Sequence, residues 1–158
     1  MSLQADYKFA LAAQQTLDTI TGAAASRIDY SQFEVSGRLN ATSTPPVTKA
    51  AYLTLTGTGV DSGVIDFTAL AGPLGSTIDC TGLKLQGFRA TNKATSDGYI
   101  TFVQGALTPY VILDMQVYPG ETLMHLFNDR LEDVAAGVKR IDWDCSDDCE
   151  VELTLLFG

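Results

Sequence analysis

A two-residue alternation of apolar and polar side chains runs through most of this chain. In Ala51-Tyr52-Leu53-Thr54-Leu55-Thr56, Leu53 and Leu55 share one side while Tyr52, Thr54 and Thr56 share the other. In Glu150-Val151-Glu152-Leu153-Thr154-Leu155-Leu156-Phe157, Val151, Leu153, Leu155 and Phe157 fall on one side, with Glu150, Glu152 and Thr154 opposite. This pattern marks an antiparallel strand with one face in a core and the other in water. Val111, Leu113, Met115 and Val117 repeat it between Tyr110 and Tyr118, as do Tyr7, Phe9 and Leu11 near the start. Shorter strand candidates lie at 28–35, 64–70, 83–90, 99–103, 122–127 and 138–143.

Turn residues separate these segments: Thr44-Pro45-Pro46, Gly57-Thr58-Gly59, Ala71-Gly72-Pro73-Leu74-Gly75, Ser96-Asp97-Gly98 and Pro119-Gly120. About eight to ten short strands at such spacing predict an all-β, antiparallel β-sandwich, jelly-roll-like, with at most one or two short helices. The alternation of Leu83 and Leu85 breaks at Gly87, and a bulge there would return Phe88 to the core face. One helix is expected at 128–137, capped by Asn128, with Glu132 and Asp133 in its early turns and Gly137 ending it. Residues 10–17 also fit a helical stripe through Phe9, Ala13 and Leu17, but a strand is preferred. Residues 37–49, with their Ser, Thr and Pro, are expected to form an exposed loop.

At 158 residues the chain is sized for a single domain, 1–158. Its 10 Lys and Arg against 19 Asp and Glu give a net charge of −9. That balance argues against coating nucleic acid and against an anionic membrane surface, both of which need clustered cations. No apolar run reaches the ~18 residues of a membrane helix, and MSLQADYKFALAAQQ lacks the pattern of a signal peptide. A soluble protein made in the cytoplasm is expected.

Candidate chemical sites are few. Cys145 and Cys149 frame Ser146-Asp147-Asp148, and the spacing suits either a disulfide closing a hairpin or two free thiols. Cys80 reads as a small buried apolar residue. The three cysteines with His125 are not spaced as a zinc finger or ribbon. Asp142, Asp144, Asp147 and Asp148 form a weak candidate cation loop. It opens like a calcium-binding loop, but Asp147 stands where such a loop needs Gly and Leu153 where it needs Glu. A solvated turn between the last two strands fits better. His125, on the parity of Leu123 and Phe127, reads as a partly buried strand residue, with no nucleophile motif to serve it. Gly57, Gly59 and Gly63 lack the Lys-Ser/Thr of a phosphate loop and read as a turn. Asn40-Ala41-Thr42 fits the glycosylation pattern, by chance in the absence of a secretory signal. Trp143, on the parity of Ile141, is assigned to the core before a sugar-stacking surface. No catalytic residue and no cofactor is expected.

Four segments carry a resemblance: Val64-Ile65-Asp66-Phe67-Thr68-Ala69-Leu70, then Cys80-Thr81-Gly82-Leu83-Lys84-Leu85-Gln86-Gly87-Phe88, then Val117-Tyr118-Pro119-Gly120-Glu121, then Val138-Lys139-Arg140-Ile141-Asp142. Over residues 50–158 the chain resembles small β-sandwich structural proteins among the virion genes of tailed bacteriophages. The shared elements are turn and strand punctuation, so no functional residue carries over, and the CSDDC loop departs from the usual Gly/Ser turn.

The resemblance implies a non-enzymatic virion component, a capsid decoration or head-fibre protein. It would bind the major capsid protein or other virion subunits and act as a homo-oligomer, for which a trimer is expected. Acidity favours the outside of a particle over the side facing packaged nucleic acid. Ile112, Met124, Leu126 and Leu156, off the principal apolar faces, are candidate contact residues. A carbohydrate-binding or adhesin module, a tail-associated structural protein and a two-carboxylate hydrolase are the competing readings.

Overall fold

The computed structural model describes residues 4–17, 26–44, 46–72, 76–112, 114–127 and 130–158, with side chains from residue 39 onward. Twelve strands follow one another: β1 (Gln4–Leu17), β2 (Ser26–Asn40), β3 (Lys49–Gly57), β4 (Asp61–Asp66), β5 (Leu70–Ala71), β6 (Thr77–Ile78), β7 (Leu85–Asn92), β8 (Ile100–Gln104), β9 (Met115–Val117), β10 (Thr122–Leu126), β11 (Arg140–Cys145) and β12 (Cys149–Phe157). The described residues contain no helix, so none long and apolar enough to cross a membrane.

Eight strands make two four-stranded antiparallel sheets, ordered β10-β7-β12-β3 and β4-β11-β8-β9. The pairing resembles one long folded ribbon: β3, β4, β7 and β8 run out, and β12, β11, β10 and β9 return beside them. Contacts β12–β7 and β11–β8 then knit the rolled ribbon into sheets. This is the jelly-roll arrangement of two Greek keys. The strands β1 and β2 pair with each other as a separate two-stranded ribbon, and β5 and β6 pair as a short antiparallel ladder of their own.

The core follows the alternation. Val151, Leu153, Leu155 and Phe157 of β12 are buried, with Glu150, Glu152 and Thr154 between them half-buried. Ile141, Trp143 and Cys145 of β11 face them from the other sheet with Ile100 and Phe102 of β8. Aromatic edges lock the layers: Phe88 meets Phe102 with ring centres 5.0 Å apart, and Phe67 meets both Tyr110 and Phe157.

Four expectations need correction. Residues 130–137 form no helix; Ala135 and Val138 close a tight antiparallel turn instead, and Asn128 lies outside the described residues. Val134 is buried in the core, and Leu131 packs against it. The exposed loop expected at 37–49 is shorter, because β2 runs on to Asn40 and Val47 is fully buried. The strand expected around 110–118 is reduced to β9. Tyr110 and Ile112 are buried while Val111 is exposed, so the burial parity changes before Met115; Leu113 lies outside the described residues. The bulge expected at Gly87 falls one residue earlier. Leu156 pairs with Gly87 and Phe157 with Leu85, which leaves Gln86 as the extra residue and places both Leu85 and Phe88 in the core.

Candidate functional site

The strands β11 and β12 belong to different sheets, so the acidic segment between them is an arch over the end of the sandwich and not the expected hairpin turn. Both flanking cysteines sit on core-facing positions, and both are buried. They are joined as a disulfide, with Cα atoms 6.3 Å apart. The bond therefore ties one sheet to the other at this end.

Other connections cross at the same end and are laced to the arch. Asp97 and Gly98 donate their amides to the Asp148 carbonyl, and Ser146 exchanges bonds with Tyr99. The Gly59 amide, in the β3–β4 crossing, donates to the Asp148 carboxylate. Asn92 is fully buried and clips two crossings together. Its Nδ2 donates to the carbonyls of Gly98, at 2.9 Å, and Val117, at 3.1 Å. The Tyr118-Pro119-Gly120-Glu121 turn is closed by the Glu121 amide on the Tyr118 carbonyl, with Gly120 at φ 81° as a type II turn requires. Tyr99 and Tyr118 stack, tilted, at 5.4 Å on this surface.

The candidate cation loop is dispersed by this geometry. Asp142 and Asp144 lie on the outer face of β11, and Asp142 accepts a bond from the Ala106 amide. Asp147 caps the Asp148 amide at the arch tip. Among the described residues no three His, Cys, Asp or Glu side chains gather as metal ligands. Cys80 is buried and unpaired, and burial pushes its thiol up to about 11.

Trp143 is also claimed by the core. It is 8% exposed and lies over Gly63, its partner across the β11–β4 ladder. That seat leaves no open indole face for a sugar.

A charged cluster escaped the sequence analysis. Asp66 accepts bonds from the Thr68 amide and hydroxyl, and its other oxygen lies 3.1 Å from both Lys139 Nζ and Arg140 Nε. Partial burial works to raise the Asp66 pKa, but the Thr68 donors and the two cations outweigh it and hold the carboxyl well below its ordinary value. The same Asx-x-Thr turn recurs at Asp79-Cys80-Thr81 and at Asn40-Ala41-Thr42. The segments that carried the family resemblance thus do structural punctuation, and the Asn40 amide of the glycosylation pattern is engaged in its own turn.

A hollow of about 550 Å³ opens beside β10, the edge strand of its sheet. Val111, Ile112, His125, Phe127, Arg130 and Leu131 line it. His125 is half-buried on the expected parity, its ring 4.6 Å from that of Phe127. Of the four candidate contact residues, Ile112 belongs to the core, and Leu126 and Leu156 close over Gly87 on the outer face of the sheet. Met124 is exposed there. No family model, curated protein or solved structure matches the chain.

Proposed function

We propose that this chain is a non-enzymatic virion structural protein, a decoration protein that binds the outside of a phage head through shape-complementary contacts. The observation that carries the reading is the open edge of β10. An unpaired edge strand is a liability unless something covers it. Here the edge borders an apolar hollow, with Val111 and Met124 exposed nearby. A protein subunit presenting an apolar ridge fits that surface. The net charge of −9 opposes a position against packaged nucleic acid and suits the exterior. The arch end, tied by a disulfide and a dense set of backbone bonds, suits a rigid body that docks without rearranging.

The test is particle binding. Purified chain is mixed with undecorated heads, and occupancy is read by co-sedimentation and by imaging of density outside the shell. Val111→Lys and Met124→Lys are expected to lower occupancy while Trp143 fluorescence stays native. Folded chain that never binds particles would overturn the reading. The adhesin alternative loses its expected platform with Trp143 in the core; it would have to rest on Tyr99 and Tyr118, and a glycan array compares the two directly.

A further inference from the structure

The unpaired edge of β10 has a defined hydrogen-bonding pattern. Two bonds bracket its ladder with β7: the Asn92 amide donates to the Glu121 carbonyl and the Phe127 amide to the Gln86 carbonyl, each at 3.0 Å. Between them the register sets Thr122 against Thr91 and Leu126 against Gly87. Successive residues of an antiparallel strand turn their amides and carbonyls to opposite sides. Glu121, Leu123, His125 and Phe127 therefore bond toward β7, while Thr122, Met124 and Leu126 turn theirs to the open edge. Among the described residues no strand pairs with that edge, and no loop bonds to those three amides and three carbonyls. Met124 and the nearby Val111 are exposed, so the chain's own side chains leave the edge open.

What fits there follows from the two sides of the edge. Cross-strand partners share a face of a sheet. A strand added to β10 would turn the side chains opposite His125 and Phe127 toward the hollow, and those opposite Met124 and Leu126 to the outer face. The hollow's walls at Val111, Ile112, Phe127 and Leu131 suit apolar side chains, and its volume of about 550 Å³ has room for them. Charge narrows the choice. Lys93, Lys139 and Arg140 have carboxylate partners. Arg89, beside Met124 on the outer face, and Arg130, on the wall of the hollow, are exposed and have none among the described residues. In a chain of net charge −9, two such guanidinium groups flank one edge. A second copy is a poor occupant, because its own β10, Thr122-Leu123-Met124-His125-Leu126, brings no carboxylate and the same arginines.

We propose that β10 takes its partner by strand addition. An extended segment of another protein, rich in apolar and acidic residues, pairs with the open edge and seats apolar side chains in the hollow. Its carboxylates lie against Arg89 on the outer face and Arg130 at the hollow. Main-chain bonds supply the affinity, and the hollow selects the side chains. The inference rests on the reading of this edge as the docking surface, and it names what docks there.

Peptide binding by the full chain, without particles, tests it. A display library of short random peptides is selected on the chain, and enriched peptides are measured by fluorescence anisotropy. Enrichment of apolar and acidic residues is expected, with affinity that falls as salt is raised. N-methylation of alternate residues in such a peptide is expected to weaken binding by at least ~10-fold in one parity and by less than ~3-fold in the other, because one set of amides faces β10. Met124→Pro removes an amide that the β7 ladder does not use, and Arg89→Glu with Arg130→Glu reverses both charges. Each change is expected to weaken binding about 10-fold while Trp143 emission stays native. The N-methyl series leaves the protein untouched and covers the case in which a variant does not fold. No enriched peptide, enrichment of basic ones, indifference to N-methyl parity, or a chain that dimerises through this edge instead would each overturn strand addition. Heads that take up folded Met124→Pro at wild-type occupancy would also overturn it and leave the docking surface standing. Peptides bound by a chain that no head takes up would remove the particle and keep the strand.

Discussion

Trp143 occupies the space above Gly63. A Cβ placed on Gly63 would come within 2.6 Å of three indole atoms, closer than real contacts allow. The glycine and the indole are direct partners across β4 and β11. An aromatic ring closing over a strand glycine restores the packing and shielding that the glycine lacks. Gly63→Ala must push the indole outward or bend β4. A loss of about 1–3 kcal/mol is expected, as for other overpacked cores, in urea unfolding followed by the emission of the sole tryptophan. An unchanged midpoint with unchanged emission would refute the contact.

The sheet faces were legible in the sequence because burial on one side leaves a period of two. Leu53, Val151, Leu153, Leu155 and Phe157 lie where that period placed them. The break at Gly87 announced a bulge, since Phe88 would otherwise have faced water. Which strands share a sheet was not legible. The segment Ser146-Asp147-Asp148 reads equally well as a hairpin turn or as an arch between sheets, and only long-range pairing decides. The site residues were harder still. Asp66 finds Lys139 and Arg140 some seventy positions away, as β4 lies beside β11, and no local pattern encodes that meeting. Tyr110 and Asn92 likewise take their roles from segments that the fold brings to them.

The Cys145–Cys149 bond spans only four positions, yet it joins two sheets. A crosslink over so short a loop removes little chain entropy, about 2 kcal/mol. Replacing both residues by alanine is expected to lower stability by that amount or slightly more, because buried sulfur is also lost. A reductant should bring the wild type down toward the double variant and leave the double variant where it was. Insensitivity of the wild type to reductant, with thiol titration confirming reduction, would contradict the crosslinking role.

Asp66 makes stability depend on acid. Its carboxylate is held by the Thr68 donors and by Lys139 and Arg140, so its folded pKa lies below the ordinary 3.8. A lowered pKa means that the unfolded chain binds the proton first. The stabilisation is therefore complete above the ordinary value and is lost as pH falls below it toward the folded pKa. At neutral pH, Asp66→Asn is expected to cost about 1–3 kcal/mol, through loss of charge-assisted bonds. The gap between variant and wild type should narrow on acidification below pH 3.8. Denaturant midpoints taken between pH 7 and pH 2 measure it. A gap that stays constant over that range would show that the carboxylate is not so held.

Tyr110 gives the opposite signature at high pH. Its ring is 1% exposed and lies edge-on to Phe67. The hydroxyl donates to the Glu132 carbonyl at 2.6 Å and accepts the Leu85 amide at 3.0 Å. One side chain thus fastens the start of β7 to the segments preceding β9 and β11. Burial pushes its pKa up to about 12, with a smaller contribution from the charges of Asp133 and Glu132 against the opposing Leu85 bond. Tyr110→Phe keeps the ring and strands an amide and a carbonyl, an expected loss of about 1–3 kcal/mol. Because the folded pKa is raised, the hydroxyl's contribution is intact below the ordinary 10.0 and disappears as pH climbs toward about 12. The wild type should accordingly lose its advantage over Tyr110→Phe across that window. An alkaline absorbance titration should show a tyrosine ionising near 12 in the wild type that is missing from the Tyr110→Phe variant. Equal stability of the two proteins at neutral pH would mean that these hydrogen bonds contribute nothing net to the fold.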